Sequence, residues 1–288
     1  MRHRLPGVPY DERVRYRELL PPPHLAKTVR CFWVLEDLDA APGRPAERVL
    51  PDGCPEIVVH YGQPMRAAPG TGPLRTQARA VAAGQLLRAL HLAPDGPIGV
   101  LGARLHPWAA GALLRERLDR LTDRTVPLDA LWGHAADELA ERIGEAADDE
   151  SRAAILGDAI ARRLAGRPDG EAAALEAALC WIDVNRGALP VAALAARLQW
   201  SPRRLQRQFL SGVGLPPKAM CRIARFRQVV RAVQAGAPPS LAALAARAGY
   251  ADQAHLAREF REFAGESVTS WLAEQHALSD CFSGRLAD

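Results

Sequence analysis

The spacing of apolar and polar positions changes character near Pro107. Before it, apolar residues come in short runs: Val29–Leu35, Glu56–His60, Ala80–Ala83, Ala89–Leu92 and Ile98–Leu105. Turn chemistry separates them, with P-D-G at Pro51–Gly53, Y-G-Q-P at Tyr61–Pro64, P-G-T-G at Pro69–Gly72 and P-D-G-P at Pro94–Pro97. Short strands divided by such turns predict a β-rich sandwich or barrel. Beyond Pro107 the apolar positions fall at helical spacing, predicting helices over Trp108–Leu121, Leu131–Ile143 and Arg152–Leu164. The stretch A-G-R-P-D-G-E from Ala165 to Glu171 reads as a linker. Only helices follow: Ala172–Asn185, Val191–Leu198, Pro202–Ser211, Lys218–Gln234, Leu241–Ala248, Gln253–Phe263 and a short Thr269–Glu274. The expected class is multidomain α+β. A β-rich unit spans 1–106, a helical coupling or dimerisation segment 107–165, a linker 166–171, an all-α unit 172–276 and a tail 277–288.

The all-α unit contains a duplication. Val191–Arg197 reads VAALAAR and Leu241–Arg247 reads LAALAAR. Each copy runs on into a second helix ending near a phenylalanine, Phe209 or Phe260, and reaches a glycine five residues later, Gly214 or Gly265. Ser201 followed by Pro202 is an N-cap with proline in the first helical position, and Asp252 is the equivalent cap in the second copy. Leu205, Phe209 and Val213 share one face, as do Leu256, Phe260 and Phe263. Those faces are expected to pack on the preceding helix, where Ala195 and Ala245 allow close approach. The opposite faces carry Arg203, Gln206 and Arg207 in copy one, and Gln253, Ala254, Ala257 and Arg258 in copy two. Arg can fork onto guanine, Gln onto adenine, and Ala can meet a thymine methyl in the major groove. A solvated face is the plainer reading of either copy alone; two matched copies favour a ligand that repeats, as the DNA groove does every ~34 Å. Lys218–Gln234 would hold the copies in fixed relation through Ile223, Phe226, Val230 and Val233, with Lys218, Arg222 and Arg225 either reaching phosphates or only solubilising the helix.

Charge supports this placement. The net charge of +4 hides an excess of 13 Lys/Arg over 6 Asp/Glu between Cys180 and Gln275, so the remainder carries −3. A basic module on a slightly acidic partner unit fits polyanion binding at one end. At 288 residues and 48% apolar composition, two sizeable cores can form. Five widely spaced cysteines, no CxxC and no secretory apolar region point to a reduced, cytoplasmic protein; no run is long enough to span a membrane.

Residues ~172–276 resemble the AraC/XylS-type DNA-binding domain. The resemblance rests on L-A-A-R-L-Q-W-S-P-R-R-L-Q-R-Q-F-x4-G, on R-I-A-R-F-R at Arg222–Arg227, and on L-A-A-R-A-G-Y-A-D-Q-A-H-L-A-R-E-F-R-E-F-A-G. It implies two helix-turn-helix units bridged by a long helix. By position, the base-reading residues would be Arg203, Gln206, Arg207, Gln253, Ala254 and Arg258, while Ser201 and His255 would lie against backbone phosphate. Two departures stand out: Gln199 occupies a turn position that often carries glycine, and Val268 replaces the proline expected after the second unit. The front half is similar, more weakly, to the sensor domain of one AraC-type branch. The residues concerned are C-F-W (Cys31–Trp33), R-V-L-P-D-G-C-P-E-I-V (Arg48–Val58), A-G-Q (Ala83–Gln85), G-A-R-L-H-P-W (Gly102–Trp108) and Asp123–Gly133. That likeness implies a cupin-like fold and no particular ligand.

Catalytic chemistry has little behind it. His60, His91 and His106 lie in or beside strands, where hydrogen-bonded structural roles outweigh a shared metal. Cys31 and Cys54 read as small core residues rather than a redox pair. Asp52 in P-D-G-C reads as a turn former. The expectation is a sequence-specific transcription regulator without catalytic activity, cofactor or metal. Its partners would be double-stranded DNA, a small-molecule effector in an apolar pocket near Trp33 or Trp108, RNA polymerase if it activates, and a second copy if the 108–164 leucine stripes dimerise. The rivals are a DNA-targeted repair or thiol-reactive enzyme, with Cys54 as its candidate, and a non-specific architectural DNA binder.

Overall fold

The computed structural model describes residues 14–165, 172–234 and 240–273. The expected linker 166–171 and tail 277–288 lie outside them. The front half is built on strands β1 (Val14–Leu19), β2 (Val29–Asp37), β3 (Glu47–Val49), β4 (Glu56–His60), β5 (Arg66–Pro69), β6 (Arg75–Thr76), β7 (Ala80–Ala83), β8 (Leu90–Ala93), β9 (Ile98–Leu105) and β10 (Thr125–Pro127). A six-stranded sheet has the order β1-β2-β9-β4-β7-β10, and a four-stranded sheet the order β3-β8-β5-β6. Neighbouring strands pair antiparallel throughout both sheets.

The near-continuous apolar runs of β2 and β9 follow from burial on both faces. Cys31, Trp33 and Leu35 on one face of β2 meet Leu90, Leu92 and Met65 on the smaller-sheet side. The alternate residues Phe32 and Val34 join a second core with Ala110, Leu113, Leu139, Ile143, Leu156 and Ile160. Those last residues belong to α1 (Pro107–Leu114), α3 (Ala135–Glu145) and α4 (Asp149–Leu164). The layers are therefore helices, large sheet, small sheet.

Segment 107–165 departs from the expected three helices. The helix predicted over Trp108–Leu121 stops at Arg115, which turns left-handed (φ 55°), and only a short 3-10 turn, Leu118–Arg120, follows. The next is split at Gly133 (φ 64°) into α2 (Asp129–Trp132) and α3. Between the 3-10 turn and α2 the chain enters the large sheet as β10, which pairs with β7. The unpredicted strands β1, β3, β5, β6 and β10 are short or carry many charges, so apolar runs do not mark them.

The C-terminal half contains α5 (Ala172–Val184), α6 (Val191–Arg197), α7 (Pro202–Val213), α8 (Pro217–Gln234), α9 (Leu241–Arg247), α10 (Gln253–Ala264) and α11 (Val268–Ala273). Its core joins Leu194, Ala195, Leu205, Phe209 and Val213 of the first repeat to Leu244, Ala245, Leu256, Phe260 and Phe263 of the second. Ile223, Phe226 and Val230 of α8 run between them. Among the described residues no helix is long and apolar enough to cross a membrane.

Candidate nucleic-acid interface

The two repeats fold into helix-turn-helix units whose turns match bond for bond. Trp200 donates its amide to the carbonyl of Ala195 at 3.0 Å, and Tyr250 donates to Ala245 at 2.9 Å. The residue before each lies in the left-handed region: Gly249 at φ 77° and Gln199 at φ 53°. Gln199 thus keeps the shape of the turn, with a side chain where glycine would avoid strain. Hydroxyl and carboxylate caps start the second helices, as expected. Ser201 Oγ accepts from the Arg204 amide at 3.2 Å and Asp252 Oδ1 from the His255 amide at 2.6 Å. Gly214 and Gly265 end them in left-handed conformation. Val268 starts α11 without a proline and is itself buried.

Amphipathicity then sorts the side chains. Leu205, Phe209, Leu256, Phe260 and Phe263 are fully buried. Arg203, Gln206 and Arg207 on α7, and Gln253, Ala254 and Arg258 on α10, are all exposed, while Ala257 is half-buried. Ser201 and Lys218 are exposed as well. His255 is half-buried, edge-on to Tyr250 at 5.2 Å between ring centroids.

Arg222 and Arg225, candidates for phosphate contact, are half-buried and engaged in ion pairs within the unit. Arg222 Nε donates to Glu259 Oε1 at 2.6 Å, and its Nη2 to Glu262 at 2.5 Å. Arg225 lies 3.6 Å from the same Glu259 oxygen and donates to the Gly187 carbonyl at 2.9 Å. His255 Nε2 comes within 3.5 Å of it too. Burial alone would lower the Arg222 pKa, but the hydrogen bonds to Glu262 and Glu259 outweigh it and raise it. The cluster pins α10 to α8. Its sequence signal is a pair of matching i,i+3 spacings, Arg222/Arg225 and Glu259/Glu262, whose opposite charges are complementary.

Two other cations are held on aromatic faces. Arg204 sits 4.7 Å above the Trp200 ring and Arg197 3.2 Å above that of Trp181. Such stacking orders the flexible arginine side chain.

The candidate chemistry of the front half does not assemble. His60 is buried, His91 lies 3.4 Å from Arg48, and His106 stacks on Trp108 at 4.3 Å. Among the described residues no three His, Cys, Asp or Glu side chains are placed to hold a metal. Burial pushes the Cys31 and Cys54 thiols up to about 12, the opposite of what a nucleophile needs. Asp52 is a turn former: its Oδ1 accepts from the Cys54 amide at 2.8 Å. Trp33 is core, packed so closely on Gly102 that a Cβ there would lie 2.0 Å from its ring. Trp108 donates its indole N–H to the Lys27 carbonyl at 3.2 Å.

Comparison with known proteins agrees with this division. Residues 194–274 match a family described as a helix-turn-helix domain. Residues 17–127 match a family described as a domain of unknown function. No curated protein matches the sequence. Among solved structures, ToxT from Vibrio cholerae is 10% identical with a TM-score of 0.48, over 84% of this chain and 98% of that one. A ToxT structure with bound unsaturated fatty acid is 13% identical with a TM-score of 0.45, over 84% and 94%. The AraC-like transcriptional activator CuxR is 17% identical with a TM-score of 0.32, over 81% and 86%.

Proposed function

We propose that this chain is a DNA-binding transcriptional regulator of the AraC/XylS type whose α7 and α10 enter successive major grooves on one face of the duplex. The observation that carries the reading is the pair of exposed polar faces at equivalent places in a duplicated, identically turned unit. Arg203, Gln206 and Arg207 read one half-site; Gln253, Ala254 and Arg258 read the other. Ser201, Lys218 and His255 meet backbone phosphates, which fix register without specifying sequence. Arg222 and Arg225 serve instead as positioning residues, holding α10 through Glu259.

The N-terminal domain supplies control. A small-molecule effector bound there would act through its different affinities for the DNA-competent and DNA-incompetent states. No catalytic step is assigned to the protein.

Selection of preferred sites from random duplex DNA, at fixed near-physiological salt, tests the reading. The expected product is a bipartite motif with half-sites about ten base pairs apart. Arg207→Ala should weaken binding by about 1–3 kcal/mol and relax preference at one position of one half-site. Retention of full discrimination by that variant would remove Arg207 from the reading face. Binding that follows salt steeply but ignores sequence would make the protein an architectural binder.

A further inference from the structure

The two helix-turn-helix units are not held by α8 alone; the N-terminal half reaches both of them and α8 as well. On the first unit, α1 packs against α5 and α7, and the Leu118–Arg120 turn packs against α7. Thr122 Oγ1 donates to the carbonyl of Gly214, the residue that ends α7, at 2.7 Å. On α8, Leu50, Pro51 and Asp52 face Phe226, Arg227 and Val230. Gly53 (φ 84°) lies so close that a Cβ there would approach Met220 Cε to 3.3 Å. On the second unit, Arg48 of β3 forms an ion pair with Glu266, one residue beyond the Gly265 that ends α10. Leu50 and Ala89, from the sandwich, are buried in the same cluster as Phe209, Phe226 and Phe260.

The loop that presses on α8 is itself tied to the sandwich. Asp52 Oδ2 lies 3.4 Å from Nε of the buried Arg104 on β9. Gln85, also buried, donates its side-chain N–H to the Gly53 carbonyl at 2.9 Å. A stiff loop on a stiff sheet transmits position rather than absorbing it.

These contacts spare the reading faces. They touch α7 at its C-terminal end and α10 just past its C-terminus, while Arg203, Gln206, Arg207, Gln253, Ala254 and Arg258 stay exposed. An inhibitory clamp would be expected to cover at least one of those faces.

We infer that the N-terminal domain is a splint: docked as here, it fixes the relation of the two recognition helices, and the docked form is the one that engages both half-sites. The inference rests on the two-face reading above. Two linked sites bind together strongly only when their connection holds them at the right span. Loosening the splint should therefore weaken two-site binding and leave single-site binding alone.

The test uses the full chain, its selected bipartite duplex, and the same duplex with one half-site scrambled. Arg48→Glu places like charges against Glu266. It should weaken bipartite binding by about tenfold or more, with half-site binding unchanged within about twofold. Arg48→Glu combined with Glu266→Arg should restore the bipartite affinity. Hydrogen exchange on the DNA-free protein should show faster exchange in α8 and α10 for the single variant and recovery in the swap. Should the single variant fail to fold, Glu266→Gln offers a milder loosening for the same comparison. Tighter binding to both duplexes would overturn the splint in favour of an inhibitory contact. An unchanged ratio of bipartite to half-site affinity, in a variant whose α8 exchange has risen, would overturn it as well. A wild-type chain that prefers no bipartite site would sink the two-face reading itself, before any variant is measured.

Discussion

A single residue decides whether the two turns are equally relaxed. Gly249 and Gln199 occupy the same place and both have positive φ, but only glycine does so without a Cβ penalty. Gln199 is exposed, so no packing compensates. Gln199→Gly should therefore stabilise the protein by about 0.5–1 kcal/mol, the strain relieved exceeding the extra chain entropy of glycine. Gly249→Gln should destabilise it by about 1 kcal/mol. Denaturant midpoints at constant slope would check both, and a stability loss in Gln199→Gly would show that the glutamine makes a compensating contact. The departure from glycine was visible in the sequence; that the backbone would keep its shape was not, because the hydrogen bonds to Ala195 and Ala245 decide it.

At the scale of elements, the Glu259 cluster sets how α10 sits on α8. Glu259 is 7% exposed and faces Arg222, Arg225 and His255 at once. Removing one member of such a cluster leaves opposite charges half-buried without their counterion, a larger loss than the pair's own net worth. Glu259→Ala should cost about 2–4 kcal/mol and weaken binding at the half-site read by α10 more than at the one read by α7. Equal weakening at both half-sites would mean the cluster only stabilises the fold. The helices of the C-terminal half were legible by their apolar spacing, with the caps Ser201 and Asp252 marking the starts of α7 and α10. The exposed polar faces were legible for the same reason, as what remains once Leu205, Phe209, Leu256 and Phe260 turn inward. The ion pairs of Arg222 and Arg225 were not, because their partners lie 37 or so positions away and only the folded chain brings them together. In the front half, β2, β4, β7, β8 and β9 announced themselves by apolar runs. The two-residue β6 and the proline-ended β10 owe their pairing to neighbours rather than to composition.

For the whole molecule, the shared core predicts shared unfolding. Leu50 and Ala89 of the sandwich are buried among the helix-turn-helix residues, so losing the sandwich exposes apolar surface on α8 and its neighbours. Acid provides a way to start the loss in the front half. Burial drives the His60 imidazole down to about 4, against the usual 6.5, with Gln77 opposing. Between those two values the unfolded chain binds a proton that the folded chain refuses, so stability present above pH 6.5 is lost as pH falls towards 4. The loss from this one group amounts to about 3 kcal/mol over the whole window, with a slope near 1 kcal/mol per pH unit. Burial lowers His91 and His106 in the same direction. His60→Gln should flatten the dependence of unfolding free energy on pH by about one proton across that window. If the core is continuous, helical signal from the C-terminal half and exchange protection of the β2 and β9 amides should fall together as wild-type protein is acidified. A sandwich that opens near pH 5 while α5 to α11 stay folded would show that the apolar contact through Leu50 and Ala89 is too weak to couple the halves, and that outcome would also remove the mechanical basis of the splint.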